Sequence, residues 1–213
     1  MKKHIVCLGD SNTHGYCADS ADCADGGIRF TEAQRWTRLL QKHLGEDFLV
    51  IEEGLSGRTT CFDDPIHEGL NALNYIYPCL KSHETVDLLI IMLGTNDTKD
   101  RLGMNAACIG LGMERLVRKC MSVDCWGDHK PNILIVSPPP IGDELNDPCM
   151  GTTCAAKSRE LAHYYKLKAD LLGCHFMDAA GCEFNKIDYM HLTKQGHAQL
   201  AERFAALVPQ LVK

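Results

Sequence analysis

No stretch of this sequence is apolar enough to span a bilayer. The longest aliphatic run, Leu88 to Leu93, is strand-sized, whereas a spanning helix needs roughly 18 residues. The opening segment, Met1 to Asp10, carries two lysines and then a short apolar run broken by Gly9 and Asp10, which is not the pattern of an export signal. A soluble, cytoplasmic protein is expected. Basic excess is missing as well: 22 Lys and Arg stand against 28 Asp and Glu, a net charge of −6, which disfavours nucleic acid as a partner. Metal-ligand spacing is missing too. Among 12 cysteines the close pairs Cys120/Cys125 and Cys149/Cys154 do not form C-x-x-C, and no histidine cluster completes a zinc set. Reduced structural thiols are therefore expected, with no metal. Neither G-x-G-x-x-G nor a G-K-[ST] phosphate loop occurs.

What is there is enough apolar material, 45% of 213 residues, for one core and one domain spanning 1–213. Short aliphatic runs at 4–8, 48–52, 87–93, 132–137 and 174–177 read as strands. Between and after them, 33–44, 106–121, 153–172 and 193–212 carry apolar residues at the three-to-four spacing of a helix face, as in Met113, Leu116, Val117 and Cys120. Thr153 and Thr193 read as N-caps. Strands alternating with helices imply right-handed crossovers, and therefore a five-stranded parallel sheet in a three-layer α/β/α sandwich. Such sheets bind ligands outside the carboxyl ends of their strands, so the polar residues just after each strand matter most.

Those residues are distinctive. Gly9-Asp10-Ser11 follows the first strand, Gly54-Leu55-Ser56-Gly57-Arg58 the second and Gly94-Thr95-Asn96-Asp97 the third, while Asp188-Tyr189-Met190-His191 precedes the last helix. Taken singly, each has an ordinary reading: a capping serine, a turn glycine or an Asx-turn, a surface ion pair. Taken together, they supply a nucleophile, an imidazole paired with a carboxylate, and donors for an oxyanion. Asp10 and Asp97 are expected to hold loop N–H groups rather than a metal.

In this order the four motifs resemble the SGNH (GDSL-like) hydrolase superfamily, whose invariant residues match Ser11, Gly57, Asn96 and His191, with Asp188 at the triad acid. The fuller strings Glu-Glu-Gly-Leu-Ser-Gly-Arg-Thr-Thr and Ile-Ile-Met-Leu-Gly-Thr-Asn-Asp-Thr-Lys, with Arg35-Trp36, Asp64-Pro65 and Ser137-Pro138-Pro139-Pro140, are similar to the bacterial arylesterase and acyltransferase branch. The resemblance implies a flavodoxin-like fold and a serine esterase acting on short-chain carboxylic esters. It also implies an oxyanion hole of Ser11, Gly57 and Asn96, no cofactor, a homo-oligomer, and possible acyl transfer to alcohols. A carbohydrate O-acetyl esterase is the alternative within enzymes, and an inactive binding or assembly protein the alternative outside them. Asn12 departs from the family's leucine, and Asn12, His14 and Tyr16 are expected to line a polar substrate entrance. Of the histidines besides His191, only His14 is expected near the pocket, whose shape is assigned chiefly to loops 18–31 and 141–152.

Overall fold

In each strand of this chain, side chains alternate between two apolar layers, and that alternation builds the architecture. The computed structural model describes residues 2–23 and 28–212. Five strands, β1 (Lys3–Gly9), β2 (Phe48–Gly54), β3 (Leu88–Met92), β4 (Ile133–Ser137) and β5 (His175–Asp178), form one parallel sheet in the order β2-β1-β3-β4-β5. Six helices pack on it: α1 (Ser11–His14), α2 (Trp36–Leu44), α3 (Ala72–Ser82), α4 (Ala106–Met121), α5 (Cys154–Leu172) and α6 (Lys194–Leu211).

On one face Val6, Leu8, Leu89, Ile91 and Ile135 meet α3, α4 and α5 through residues such as Ile76, Met113 and Leu161. On the other, Ile5, Cys7, Leu88, Ile90 and Val136 meet α2 and α6, where the Trp36 and Phe204 rings lie 4.8 Å apart. Because both faces are covered, β3 is buried at every position. This is why Leu-Leu-Ile-Ile-Met reads as continuously apolar rather than alternating. Each fully buried aliphatic side chain contributes about 1.5–3 kcal/mol.

The expected strands are found within one or two residues of their ends, and α4 matches its expected bounds. Three details differ. The helix α3 was not expected from spacing, since Pro78 lies inside it; its start is fixed by Asn71, whose side chain accepts from the Leu73 N–H at 2.9 Å. Thr153 stands at the N-cap position of α5 but makes no capping bond, because its hydroxyl donates to Asp100 instead. Thr193 does cap α6, accepting from the Gly196 N–H at 3.0 Å. The third difference is the start of α2, at Trp36 rather than 33. None of the helices described is long and apolar enough to cross a membrane.

The N-terminus of α2 has no side-chain cap of its own. Its first N–H, from Trp36, donates across the layer to Nδ1 of the fully buried His197 on α6, at 3.2 Å. That bond requires an unprotonated Nδ1, and burial, reinforced by His191 and Arg35, pushes His197 down to about 3 from 6.5. The unfolded chain therefore binds this proton more readily. The stabilisation is complete above about pH 6.5 and is lost as the pH falls toward 3. We expect His197→Gln to be destabilised relative to the wild type at neutral pH, and the gap to narrow as the pH falls through that window. Urea unfolding of both proteins across it is the check; a gap independent of pH would contradict a neutral, cap-forming His197.

Candidate active site

The strand ends gather the polar residues. Gly9 lies in register with Gly54 on one side and with Met92 on the other, so the turns after β1, β2 and β3 emerge side by side. The chain leaves β1 straight into α1, where Asp10 is the N-cap and accepts from the Asn12 N–H at 3.0 Å. Ser11 thereby sits at the first helical position, facing out of the sheet end. A side chain at Gly54 would collide with the backbone of Thr13 and His14, so glycine is what lets α1 rest on the end of β2.

The neighbouring turn is braced by Arg58. Its Nη1 donates to the carbonyl of Gly9 at 3.1 Å and to that of Glu53, while its own carbonyl accepts from Asn96 Nδ2 at 3.2 Å. One residue thus links all three turns. Gly57 precedes it at φ 86°, in the left-handed region that a side chain rarely adopts. Asp97 is fully buried and accepts from the Thr60 N–H at 2.9 Å and from its hydroxyl. Asp10 and Asp97 thus both hold loop N–H groups. Burial pushes each carboxyl up, to about 6, against those bonds.

The fourth segment arrives from far along the chain. His191 Nδ1 lies 2.6 Å from Asp188 Oδ2, and Nε2 lies 2.7 Å from Ser11 Oγ. With Nδ1–H donating to the carboxylate, Nε2 is left to accept the serine proton. Burial works against the Asp188 charge, but the His191 imidazole and the N–H groups of His191 and Met190 outweigh it and bring the carboxyl down to about 2. The loop is organised by Asn185, a residue the sequence analysis passed over. Its Nδ2 donates to Asp188 Oδ1 at 2.9 Å and to the His191 carbonyl at 2.8 Å, while its Oδ1 accepts from the Ile187 and Asp188 N–H groups. The bond from the Ile187 N–H is an Asx-turn, in which an asparagine side chain accepts from the backbone two residues on.

Ser11, Gly57, Asn96 and His191 border one open cavity of about 320 Å³. Of the three residues expected at a substrate entrance, only Tyr16 lines it, its ring 4.5 Å from the His191 ring. Asn12 requires correction: it is buried, and its carboxamide donates to the Met190 carbonyl at 3.3 Å and accepts from the Leu192 N–H at 2.9 Å. It clasps the His191 loop to the Ser11 turn. His14 is not among the residues that line this cavity, where the histidine besides His191 is His67.

Loop 141–152 contributes Asp147, Cys149 and Met150 as expected. Loop 18–31 contributes no wall residue among those described, and 24–27 lie outside the described residues. The remaining wall combines Leu70 and Met190 with Lys99 and Arg101. Arg101 forks onto Asp64 at 3.0 and 2.6 Å and holds that carboxyl well below the usual range. Lys99 stands 3.7 Å from the same acid, its pKa lowered first by burial and then by Arg101.

The whole chain is similar to known proteins. Residues 7–199 match the model of the GDSL-like lipase/acylhydrolase family. The Mycobacterium smegmatis aryl esterase superposes with a TM-score of 0.89 at 37% identity, over 99% of this chain and 100% of that one. The carbohydrate acetylesterase Est24 from Sinorhizobium meliloti does so at 0.88 and 35%, over 99% and 100%. A lipolytic G-D-S-L family protein from Veillonella parvula shares only the fold, at 0.70 and 15% identity over 98% and 100%. Among curated proteins no relative matches.

The clasp generates a direct test. Asn12→Ala leaves the buried Leu192 N–H without its acceptor, which should cost about 1–3 kcal/mol and speed hydrogen exchange at Leu192. His14→Ala should do neither. Equal effects of the two substitutions on stability and on Leu192 exchange would refute the positioning role of Asn12.

Proposed function

The chain belongs to the GDSL-like lipase/acylhydrolase family, and from that premise we propose that it is a serine esterase, working as one domain on short-chain carboxylic esters. One observation carries the reading: the unbroken contact chain Asp188, His191, Ser11, at 2.6 and 2.7 Å, opening onto a cavity. Ser11 Oγ attacks the ester carbonyl while His191 Nε2 takes its proton. Asp188 holds the tautomer and stabilises the imidazolium. The oxyanion rests on the N–H groups of Ser11 and Gly57 and on the Asn96 carboxamide, which has a second N–H beyond the one given to Arg58. His191 then protonates the departing alcohol, and water, activated by the same imidazole, releases the acid from the acyl-enzyme. The scheme calls on no cofactor.

A second reading, removal of acetyl groups from carbohydrate, draws on the polar side of the wall. Lys99, Arg101, Asp147 and His67 on the cavity wall offer hydrogen bonds to hydroxyl groups, and one similar structure is a carbohydrate acetylesterase. The location we propose is the cytoplasm.

Ser11→Ala should abolish turnover of aryl acetates and labelling by a fluorophosphonate, with the fold intact. Asn96→Ala should lower kcat by about 10²–10³ with little change in KM, and Asp188→Asn should cost on the order of 10⁴. Near wild-type kcat in any of the three removes that residue from the mechanism. A panel of aryl esters of rising acyl length beside acetylated xylan separates the two substrate readings by kcat/KM.

We further propose a homo-oligomer that passes acyl groups to alcohols in competition with water. Ile66 and Ile187 lend support, being large apolar side chains left exposed near pocket and triad residues. Neighbouring subunits covering them would restrict water at the acyl-enzyme. Light scattering should give a mass above the 23.6 kDa of one chain, and reaction in water containing a primary alcohol should yield ester as well as acid. A strict monomer refutes the first part, and free acid alone refutes the second.

A further inference from the structure

Away from the cavity, three side chains of different chemistry converge between the end of β2 and the last turns of α3. Cys79, in the last turn of α3, and His83, its C-cap residue, stand four residues apart, and Glu53 faces them from β2. Their ligand atoms, a thiol sulfur, an imidazole nitrogen and a carboxylate oxygen, all lie within 4.8 Å of one another. We propose that Glu53, Cys79 and His83 form a binding site for a zinc(II) ion, with a fourth position open to water.

The donor set selects the ion. Sulfur, imidazole nitrogen and a single carboxylate suit a borderline cation and exclude the all-oxygen preference of magnesium or calcium. Zinc bonds of about 2.0–2.3 Å require only modest side-chain adjustment of groups already this close. Outer bonds preset two ligands. Tyr75, one turn before Cys79 on the same side, donates to Glu53 Oε2 at 2.8 Å, and the His83 backbone is held by its carbonyl, which lies 3.1 Å from His4 Nδ1. At present His83 Nε2 and Glu53 Oε1 share a hydrogen bond of 2.7 Å. Binding would replace that bond with two metal bonds, the imidazole proton residing on Nδ1. Cys79 would give up its proton to solvent, so that thiolate and carboxylate together balance the dication.

Two features moderate affinity. Burial pushes the Cys79 thiol up to about 12, so uptake releases a proton and strengthens as the pH rises. The Arg58 guanidinium lies 4.9 Å from the centre of the Tyr75 ring, and its charge opposes a cation nearby. The site stands independently of the esterase reading, since none of its ligands borders the cavity.

Cobalt(II), which reports thiolate ligation by a charge-transfer absorption, is the probe, followed by displacement with zinc(II). The wild type should take up cobalt with that absorption and show a raised Tm with either metal. Cys79→Ser should lose the absorption, whereas Cys149→Ser, at an exposed thiol, should keep it. Tyr75→Phe should weaken binding by about 10–100-fold, as for other lost outer-shell bonds. Should Cys79→Ser fold poorly, His83→Gln, at a partly exposed position, must reduce uptake in its place. Absence of the absorption in the wild type, its persistence in Cys79→Ser, or undiminished cobalt uptake by His83→Gln overturns the site.

Discussion

The arrangement hangs on a single carboxamide. Ser11 and His191 are 180 residues apart in the chain, and each lies on a turn that could point elsewhere. Asn12 spans the gap by accepting from one side of the His191 loop and donating to the other. Because the amide is buried, neither bond competes with water, and an unpaired group there carries the full desolvation cost. The short Ser11–His191 approach thus sits directly beside the two bonds of Asn12. The polar residue after the serine spends its carboxamide on main-chain groups either side of His191.

Around that clasp the turns are held from behind. Arg58 ties the ends of β1, β2 and β3 together through main-chain carbonyls, and Asp10 and Asp97 hold the turns from below. Both acids are buried at an energetic cost, visible in their raised pKa values. The offset is geometric. Carboxylates bonded to backbone N–H groups leave a turn little freedom, and a preorganised site needs its donors fixed before charge develops.

Much of this was legible in the sequence, for reasons that can be named. The aliphatic runs of β1, β3 and β4 have no other use than a covered sheet, and parallel pairing follows from the helices between them. The three-residue step from Asp188 to His191 allows the pair to meet wherever the segment turns, as it does here. What stayed hidden depends on distance in the chain or on direction. Nothing local to Asn12 or His14 tells which way a side chain in a four-residue helix points, and that direction separates wall from support. His67 joins the cavity only because loop 61–71 folds back over it to begin α3, a helix masked by Pro78. Glu53 meets Cys79 and His83 across two elements, beyond the reach of any spacing rule.

Asp188 and His191 share one turn, braced within itself by Asn185. Acid and imidazole therefore meet the serine as one prefabricated unit: the 2.6 Å bond is internal to the turn, and the two hydrogen bonds of Asn12 on either side of His191 seat that unit against Ser11.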